Sequence, residues 1–230
     1  MNKIPAVFNW SGGKDSCLAL HHVLKEDLFD VKYLLTTVNG AFKRVSMHGV
    51  RTSLLTKQAK SLGFNLIQLE LPEMVSMEVY ETELGNQMNS FKNQGINHSI
   101  FGDIFLEDLK EYREKQLQKN NIKAIFPLWK KDSSALINEF ISLGYKTIVV
   151  CAQAGLEDFC GRIIDQSFLD DLPKEIDPCG ENGEFHTFVF DGPIFSGPIK
   201  FNIGEKVLRT YPNPTGSEIP TGYWFVDLFE

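Results

Sequence analysis

Residues 11–16 read Ser-Gly-Gly-Lys-Asp-Ser, directly after the apolar run IPAVFNW (4–10) and before a segment with apolar Leu18, Leu20, Val23 and Leu24. Two adjacent glycines let a backbone approach an oxyanion closely and take positive φ. A helix starting there aims its unpaired N–H groups and its dipole at the same anion. Ser11 and Ser16 add hydroxyl donors and Lys14 adds a cation, so the chemistry that suits Ser11, Gly12, Gly13, Lys14, Asp15 and Ser16 is phosphate binding. Asp15 would repel a bare phosphate, which leaves it to hold Mg²⁺ or to orient the loop. The spacing is not that of a Walker A loop, G-x-x-x-x-G-K-[ST]. Five residues before Gly13 stands Phe8, and Lys14 is followed by Asp15. The plainer reading is a strand-to-helix turn capped by Ser or Asp. The full hexapeptide, set between strand and helix, is more specific than that reading requires.

A second dense stretch runs Glu175-Ile-Asp-Pro-Cys-Gly-Glu-Asn-Gly-Glu-Phe-His186 and continues TFVFDGPIF to Phe195. Asp177, Glu181, Glu184 and His186 fall within ten residues. Such a cluster could bind a cation or an ammonium, or supply a general base for attack by an amine. It is a poor zinc site, because thiol and imidazole ligands are too few. An acidic turn leading into a hairpin, with His186 satisfied in a network, accounts for the same residue types equally well.

These residues need elements to position them. Short apolar runs alternate with helical patterns: VKYLLTTV (31–38), a helix near 51–62, FNLIQLEL (64–71), a helix around 75–95, SIFGD (99–103), a polar helix (107–120), KAIFPL (123–128), a helix over 133–144 and KTIVVCA (146–152). This β-α rhythm predicts an α/β, Rossmann-like parallel sheet with flanking helices. The glycine loop, Gly102-Asp103 and Pro127-Leu128-Trp129 all fall at strand ends, where such sheets collect ligands. After about residue 165 the texture changes, and FHTFVFDG, PIKFNI and YWFVDLF read as strands. The expected organisation is therefore a nucleotide-binding domain over 1–165 and a smaller C-terminal α+β part over 166–230, packed over the strand ends.

At 230 residues, 43% hydrophobic and 23% charged, the chain has enough apolar residues for a core. No run approaches the ~18 apolar residues of a membrane span. MNKIPAVFNW shows no signal-peptide cleavage pattern. Cys17, Cys151, Cys160 and Cys179 form no CxxC pair, and read as reduced thiols of a cytoplasmic protein. A net charge of −7 argues against a large nucleic-acid surface. The oligomeric state stays open, a homodimer included.

The hexapeptide resembles the pyrophosphate loop of the PP-loop, or N-type, ATP pyrophosphatases. These cleave ATP between the α and β phosphates while a substrate oxygen is adenylated. The stretch 175–195, Phe101-Gly102-Asp103-Ile104 followed by Arg113, and Pro127-Leu128-Trp129 extend the likeness, so that nearly the whole chain resembles the diphthine–ammonia ligase family. The resemblance implies a HUP-type domain, ATP and Mg²⁺ as cofactors, and a ligase reaction in which an adenylated carboxylate is amidated by ammonia. It implies that Ser11 to Ser16 hold the ATP phosphates and that Gly102 and Asp103 face nucleotide or substrate. Arg113 would contact adenylate or a substrate carboxylate, with an exposed helix arginine as the alternative. Trp129, Asp177, Cys179, Gly180, Glu181, Glu184 and His186 would lie on the acceptor or ammonia side. Lys14, Asp15, Glu181, Glu184 and His186 would be catalytic, with Asp15 on the metal. Cys179 reads as a thiol nucleophile or, more simply, a buried spacer.

One region departs from the diphthamide branch. The acidic EGDEVEDL-like segment of that branch is replaced here by ETELGNQMNSFKNQG (81–95), while Ser46-Met47-His48-Gly49-Val50-Arg51 looks like the bacterial-type relatives. The acceptor is thus a small molecule or a modified residue that this comparison leaves unnamed. His48 and Arg51 line the nucleotide pocket on one reading and belong to a loop before a helix on the other. Two rivals remain: a PP-loop tRNA-modifying enzyme, and a non-catalytic ATP/AMP sensor of the same fold.

Overall fold

β1 (Ile4–Asn9) is apolar on both faces, and the computed structural model, which describes residues 2–45, 48–72, 76–211 and 221–230, buries both. Ala6 and Phe8 face one core with Leu34 and the helices α1 (Lys14–Glu26) and α2 (Thr52–Leu62). Val7 faces a second core with Leu35, Met88, Phe91 and Leu117, on α3 (Met77–Asn93) and α4 (Glu107–Gln118). A strand covered on both sides must be apolar throughout, which is why this one shows no alternation.

β1 pairs in parallel with β2 (Phe29–Asn39) on one side and β5 (His98–Ile100) on the other. β4 (Asn65–Leu71) adds to β2, and β6 (Lys123–Ile125) adds to β5, both in parallel. The short β3 (Arg44–Val45) runs antiparallel to the end of β2. The expected Rossmann-like architecture is therefore present, with parallel order β4-β2-β1-β5-β6. The chain walks outward from β1 to β4, then returns to β5 on the opposite side of β1. The carboxyl ends of β1 and β5 thus flank the point where strand order reverses.

The run 146–152 is placed differently from its sequence reading. β7 (Lys146–Gln153) does not extend the parallel sheet but lies inside a second, antiparallel one, ordered β8-β7-β10-β9. Its partners are β8 (Phe185–Asp191) and β10 (Thr221–Phe229), and β9 (Asn202–Tyr211) forms the margin. Thr147 to Ala152 are all buried, so the pattern is the one a central parallel strand also shows. α5 (Ser133–Ser142), capped by the Asp132 carboxylate accepting from the Ala135 N–H at 2.8 Å, precedes β7. The short α6 (Gln166–Asp171) follows it and has no counterpart in the sequence reading.

The two sheets share one core, since Leu18 and Leu54 cluster with Val149 and Phe188. The backbone joins them too: the Val189 N–H donates to the Gly12 carbonyl at 2.9 Å, and the Ser196 N–H to that of Ser61 at 2.9 Å. All four cysteines are buried and free. Among the described residues no helix is long and apolar enough to cross a membrane.

Candidate functional site

Between β1 and α1 the glycine loop is held by contacts that admit little else. Gly12 has φ +82°, and a Cβ there would sit 2.7 Å from both Gln58 Oε1 and Leu55 Cδ1. Gln58, wholly buried, donates from Nε2 to the Gly12 carbonyl at 3.0 Å and to the Val189 carbonyl, and accepts from Trp10 Nε1 at 3.1 Å. The Gly13 N–H donates to Ser11 Oγ at 3.2 Å, and the Lys14 N–H to Thr187 Oγ1 at 3.0 Å. From the far side β5 closes in: a Cβ on Gly102 would lie 2.8 Å from the Ser16 nitrogen. Both strand ends of the order reversal therefore press on the start of α1.

Lys14 is only 3% exposed, and its ammonium reaches across to the second part of the chain. Nζ donates to both Asp15 oxygens, at 2.9 and 2.8 Å, and to the Cys179 carbonyl. Burial works against its charge, but Asp15, Cys179 and Glu181 together outweigh that and leave its pKa above the ordinary lysine value. Burial raises the Asp15 carboxyl against the pull of Lys14. Glu181 accepts the Ile104 N–H on Oε1 at 2.7 Å. Burial first, then the nearby Asp15, push it up to about 7.

Asp103 is held by Arg113 through two contacts, Nε to Oδ2 at 2.9 Å and Nη2 to Oδ1 at 3.1 Å. The Arg113 guanidinium lies 4.6 Å over the Phe101 ring. His48 and His186, from opposite sides, bring their rings to 4.7 Å. The His48 Nδ1–H donates to the Thr187 carbonyl at 3.1 Å, which leaves Nε2 as the acceptor of a neutral ring. Burial lowers His48 to about 4 and His186 to about 3, so both are uncharged near neutrality.

These groups line a cleft of about 390 Å³. Its polar end carries Ser11, Lys14, Asp15, Ser16, His48, Asp103, Arg113, Glu181 and His186, with the backbone of Gly102 and Gly180. Its apolar part is lined from α3 and α4 by Leu84, Met88, Leu109 and Tyr112, with Leu35 of β2.

Six expected residues do not line the wall of this cleft: Gly12 and Gly13, whose backbone shapes the loop, and Trp129, Asp177, Cys179 and Glu184. Asp177 folds the loop, its Oδ2 accepting the N–H groups of Cys179 at 3.2 Å and Glu181 at 2.9 Å. Glu184, 6% exposed, accepts from the Asp177 N–H at 3.3 Å and Asn182 Nδ2 at 3.0 Å. The Cys179 thiol donates to the Ser133 carbonyl at 3.3 Å, and burial raises its pKa far above the ordinary thiol range. Both features suit a buried spacer. Trp129 packs on Phe126 and Lys110. Arg51 turns to Asp227 on β10, at 3.1 and 2.6 Å, where Arg44 joins it at 2.9 Å. Ser46 and Met47 lie outside the described residues.

Sequence reasoning missed Gln58, Thr187 and Asn9, which lines the cleft and donates from Nδ2 to Ser99 Oγ at 2.8 Å and to the Ile100 carbonyl at 2.9 Å. Thr187 stood next to His186 in the motif, but a helix glutamine 46 residues from Gly12 carries no local signal. Among the described residues no three His, Cys, Asp or Glu side chains converge as metal ligands.

Comparison with known proteins gives two family models in tandem. The diphthamide synthase N-terminal domain matches residues 4–124, and the diphthamide synthase C-terminal domain matches residues 132–211. Diphthine–ammonia ligase of Schizosaccharomyces pombe is 25% identical over 230 residues, covering 86% of this chain and 36% of that protein. The human enzyme of that name is 29% identical over 113 residues, 46% of this chain and 42% of its own length. The chain thus spans less than half the length of these curated relatives. Among solved structures, the U34-tRNA thiolase NcsA from Methanococcus maripaludis, with its [4Fe-4S] cluster, overlays with a TM-score of 0.40 at 16% identity, over 63% of this chain and 59% of that one. The two consecutive family domains, covering the glycine loop and the 175–195 motif in the expected order, establish that the chain belongs to the diphthamide synthase family.

Proposed function

We propose that the chain binds ATP along the carboxyl edge of its parallel sheet and activates a carboxylate for amide formation with ammonia. The carboxylate oxygen attacks the α-phosphorus and the bond to the β-phosphate oxygen breaks, giving an acyl adenylate and pyrophosphate. Ammonia then adds to the acyl carbon, and AMP leaves with the electron pair of the acyl C–O bond. The observation that carries this reading is the meeting of the 11–16 loop and the 177–187 loop on one cleft, fastened by Lys14.

In this reading Ser11 to Ser16 hold the β and γ phosphates as a leaving group, with N–H groups and Lys14 set where charge develops. The apolar part of the cleft, lined from α3 and α4, takes the purine. Arg113, kept in place by Asp103, faces the acyl phosphate or the acceptor carboxylate. Glu181, poised near pH 7, takes the proton that the attacking nitrogen sheds. The neutral His48 and His186 offer ring-nitrogen acceptors for the N–H groups of the ammonia. Asp177, Cys179 and Glu184 give the loop its shape. Residues 1–165 handle the nucleotide, and residues 166–230, with Arg113 and His48, make the acceptor side.

Mg²⁺ fits this donor set. Asp15 is a carboxylate that burial and the nearby Asp177 make costly to charge, and a divalent ion arriving with phosphates relieves that cost. When bound, the ion neutralises charge on the departing pyrophosphate. The test is product analysis with ATP, ammonium and fractionated cellular carboxylates or modified proteins as acceptors. AMP and pyrophosphate should appear in equal amounts, with ammonium dependence, and fall by ~10²–10³-fold in Lys14→Ala. ADP and inorganic phosphate as products would refute the reaction class.

A further inference from the structure

β9 forms one margin of the second sheet: it pairs with β10 on one side and with no strand on the other, among the described residues. Long edge strands are a pairing template, and proteins ordinarily blunt them with prolines, bulges or charges. Here a bulge interrupts the ladder between residues 203 and 206, but from Lys206 to Tyr211 the register runs unbroken. The strand also stays apolar in the open: Ile203, Val207, Leu208 and Tyr211 keep 57%, 40%, 48% and 45% of their surface.

Two opposite charges stand among them. Glu205 and Arg209 are both exposed, and neither joins a partner side chain among the described residues. Lys206, by contrast, is turned back onto its own chain, its Nζ donating to the Glu157 carbonyl at 2.9 Å.

We propose that β9 pairs antiparallel with β9 of a second copy of this chain, about a two-fold axis at Val207, joining the two sheets into one. In such a pair, facing residues lie at equal distances on either side of the axis, and facing side chains share a face. With the axis at Val207, Glu205 in the bulge lies opposite Arg209 of the second copy, and this happens twice over. An axis at Lys206 sets lysine against lysine, and one at Leu208 leaves Glu205 facing Tyr211. Axes at Glu205 or Arg209 set like charges together. Only the Val207 register pairs both charges with their opposites, the cross-strand arrangement that stabilises a sheet. Arg209 is long enough to reach Glu205 across the offset introduced by the bulge. The occupant argued for is therefore another copy of the same strand, because a self-complementary edge recognises itself.

Sedimentation velocity of the full chain over micromolar to submillimolar concentration tests this with four proteins. The unaltered chain should sediment as a dimer. Glu205→Arg and Arg209→Glu should each weaken dimerisation by at least ~10-fold, since each sets like charges opposite one another twice. The double variant should recover dimerisation, because the swap restores opposite charges in the same register. A monomer at every concentration overturns the proposal. So do single variants that dimerise as well as the unaltered chain, and a double variant that stays monomeric after the single ones have been disrupted.

Discussion

The glycine loop and the 177–187 loop meet in one cleft but are built on opposite principles. In residues 11–16 nearly every group either faces the cleft or gives the backbone room to do so. In residues 177–187 the ionisable side chains divide. Glu181 and His186 line the cleft, whereas Asp177 and Glu184 turn inward to accept N–H bonds from their own loop. A phosphate-binding turn uses its backbone as the ligand, so its side chains can be short and its shape comes from glycine and from neighbours such as Gln58. A loop without regular structure must satisfy its own amides first, and carboxylates serve that need as readily as they serve catalysis.

The sharpest way to break this comparison is at Lys14, the one residue that belongs to both loops. Lys14→Ala should lower AMP and pyrophosphate formation by ~10²–10³-fold, as the loss of a preorganised charge does. A residual rate within a few-fold of the unaltered protein would separate the two loops functionally.

Glu181→Gln should come next, lowering turnover by ~10²-fold with little change in ATP affinity. In the unaltered protein kcat/KM should rise with pH through about 7, since the base must be deprotonated. In the variant that rise should flatten, and a profile unchanged by the substitution would remove Glu181 from the proton step.

Asp177→Asn sharpens the contrast from the other side. It should cost ~1–3 kcal/mol of stability in a urea titration, because two buried loop N–H groups lose a charged acceptor. The activity remaining per folded molecule should fall less than in Glu181→Gln. If it falls as far at unchanged stability, the inward carboxylates are not merely structural.

The smallest effect belongs to the clasp between Asp227 and Arg51 and Arg44. Hydrogen bonds from Arg51 outweigh burial, and with Arg44 they hold Asp227 down to about 2. A depressed folded-state pKa contributes stability above the unfolded carboxylate range, ~3.9, and that stability is lost as pH falls through about 2. Asp227→Asn should lower Tm slightly at neutral pH, in the range of an exposed pair at ~0.5–1 kcal/mol. The difference from the unaltered protein should close between those two pH values, and a difference persisting at pH 2 would exclude the ion pair as its cause.

How much of this was legible in the sequence follows the same division. Apart from the two-residue β3, the order of strands and helices through β6 was readable, as were the loop at the end of β1 and Gly102 at the end of β5, because each depends on local pattern. β7 was not, since a strand covered on both faces looks alike in either kind of sheet. The strand PIKFNI was expected at 198–203, whereas β9 runs from Asn202 to Tyr211. With both faces of GEKVLRTY exposed, no alternation marks it as a strand. Within the 175–187 motif the sequence names the residues but not their directions. Whether a carboxylate faces in or out depends on a turn that Asp177 itself makes.

The central claim is that Ser11 to Ser16 hold the leaving pyrophosphate while the purine lies against α3 and α4. A crystal structure with α,β-methylene ATP and Mg²⁺ tests it most directly. The account predicts the β and γ phosphates within hydrogen-bond distance of the start of α1, and the purine against Leu84 and Met88. Phosphates bound elsewhere in the cleft, or a purine stacked over the glycine loop, would contradict it.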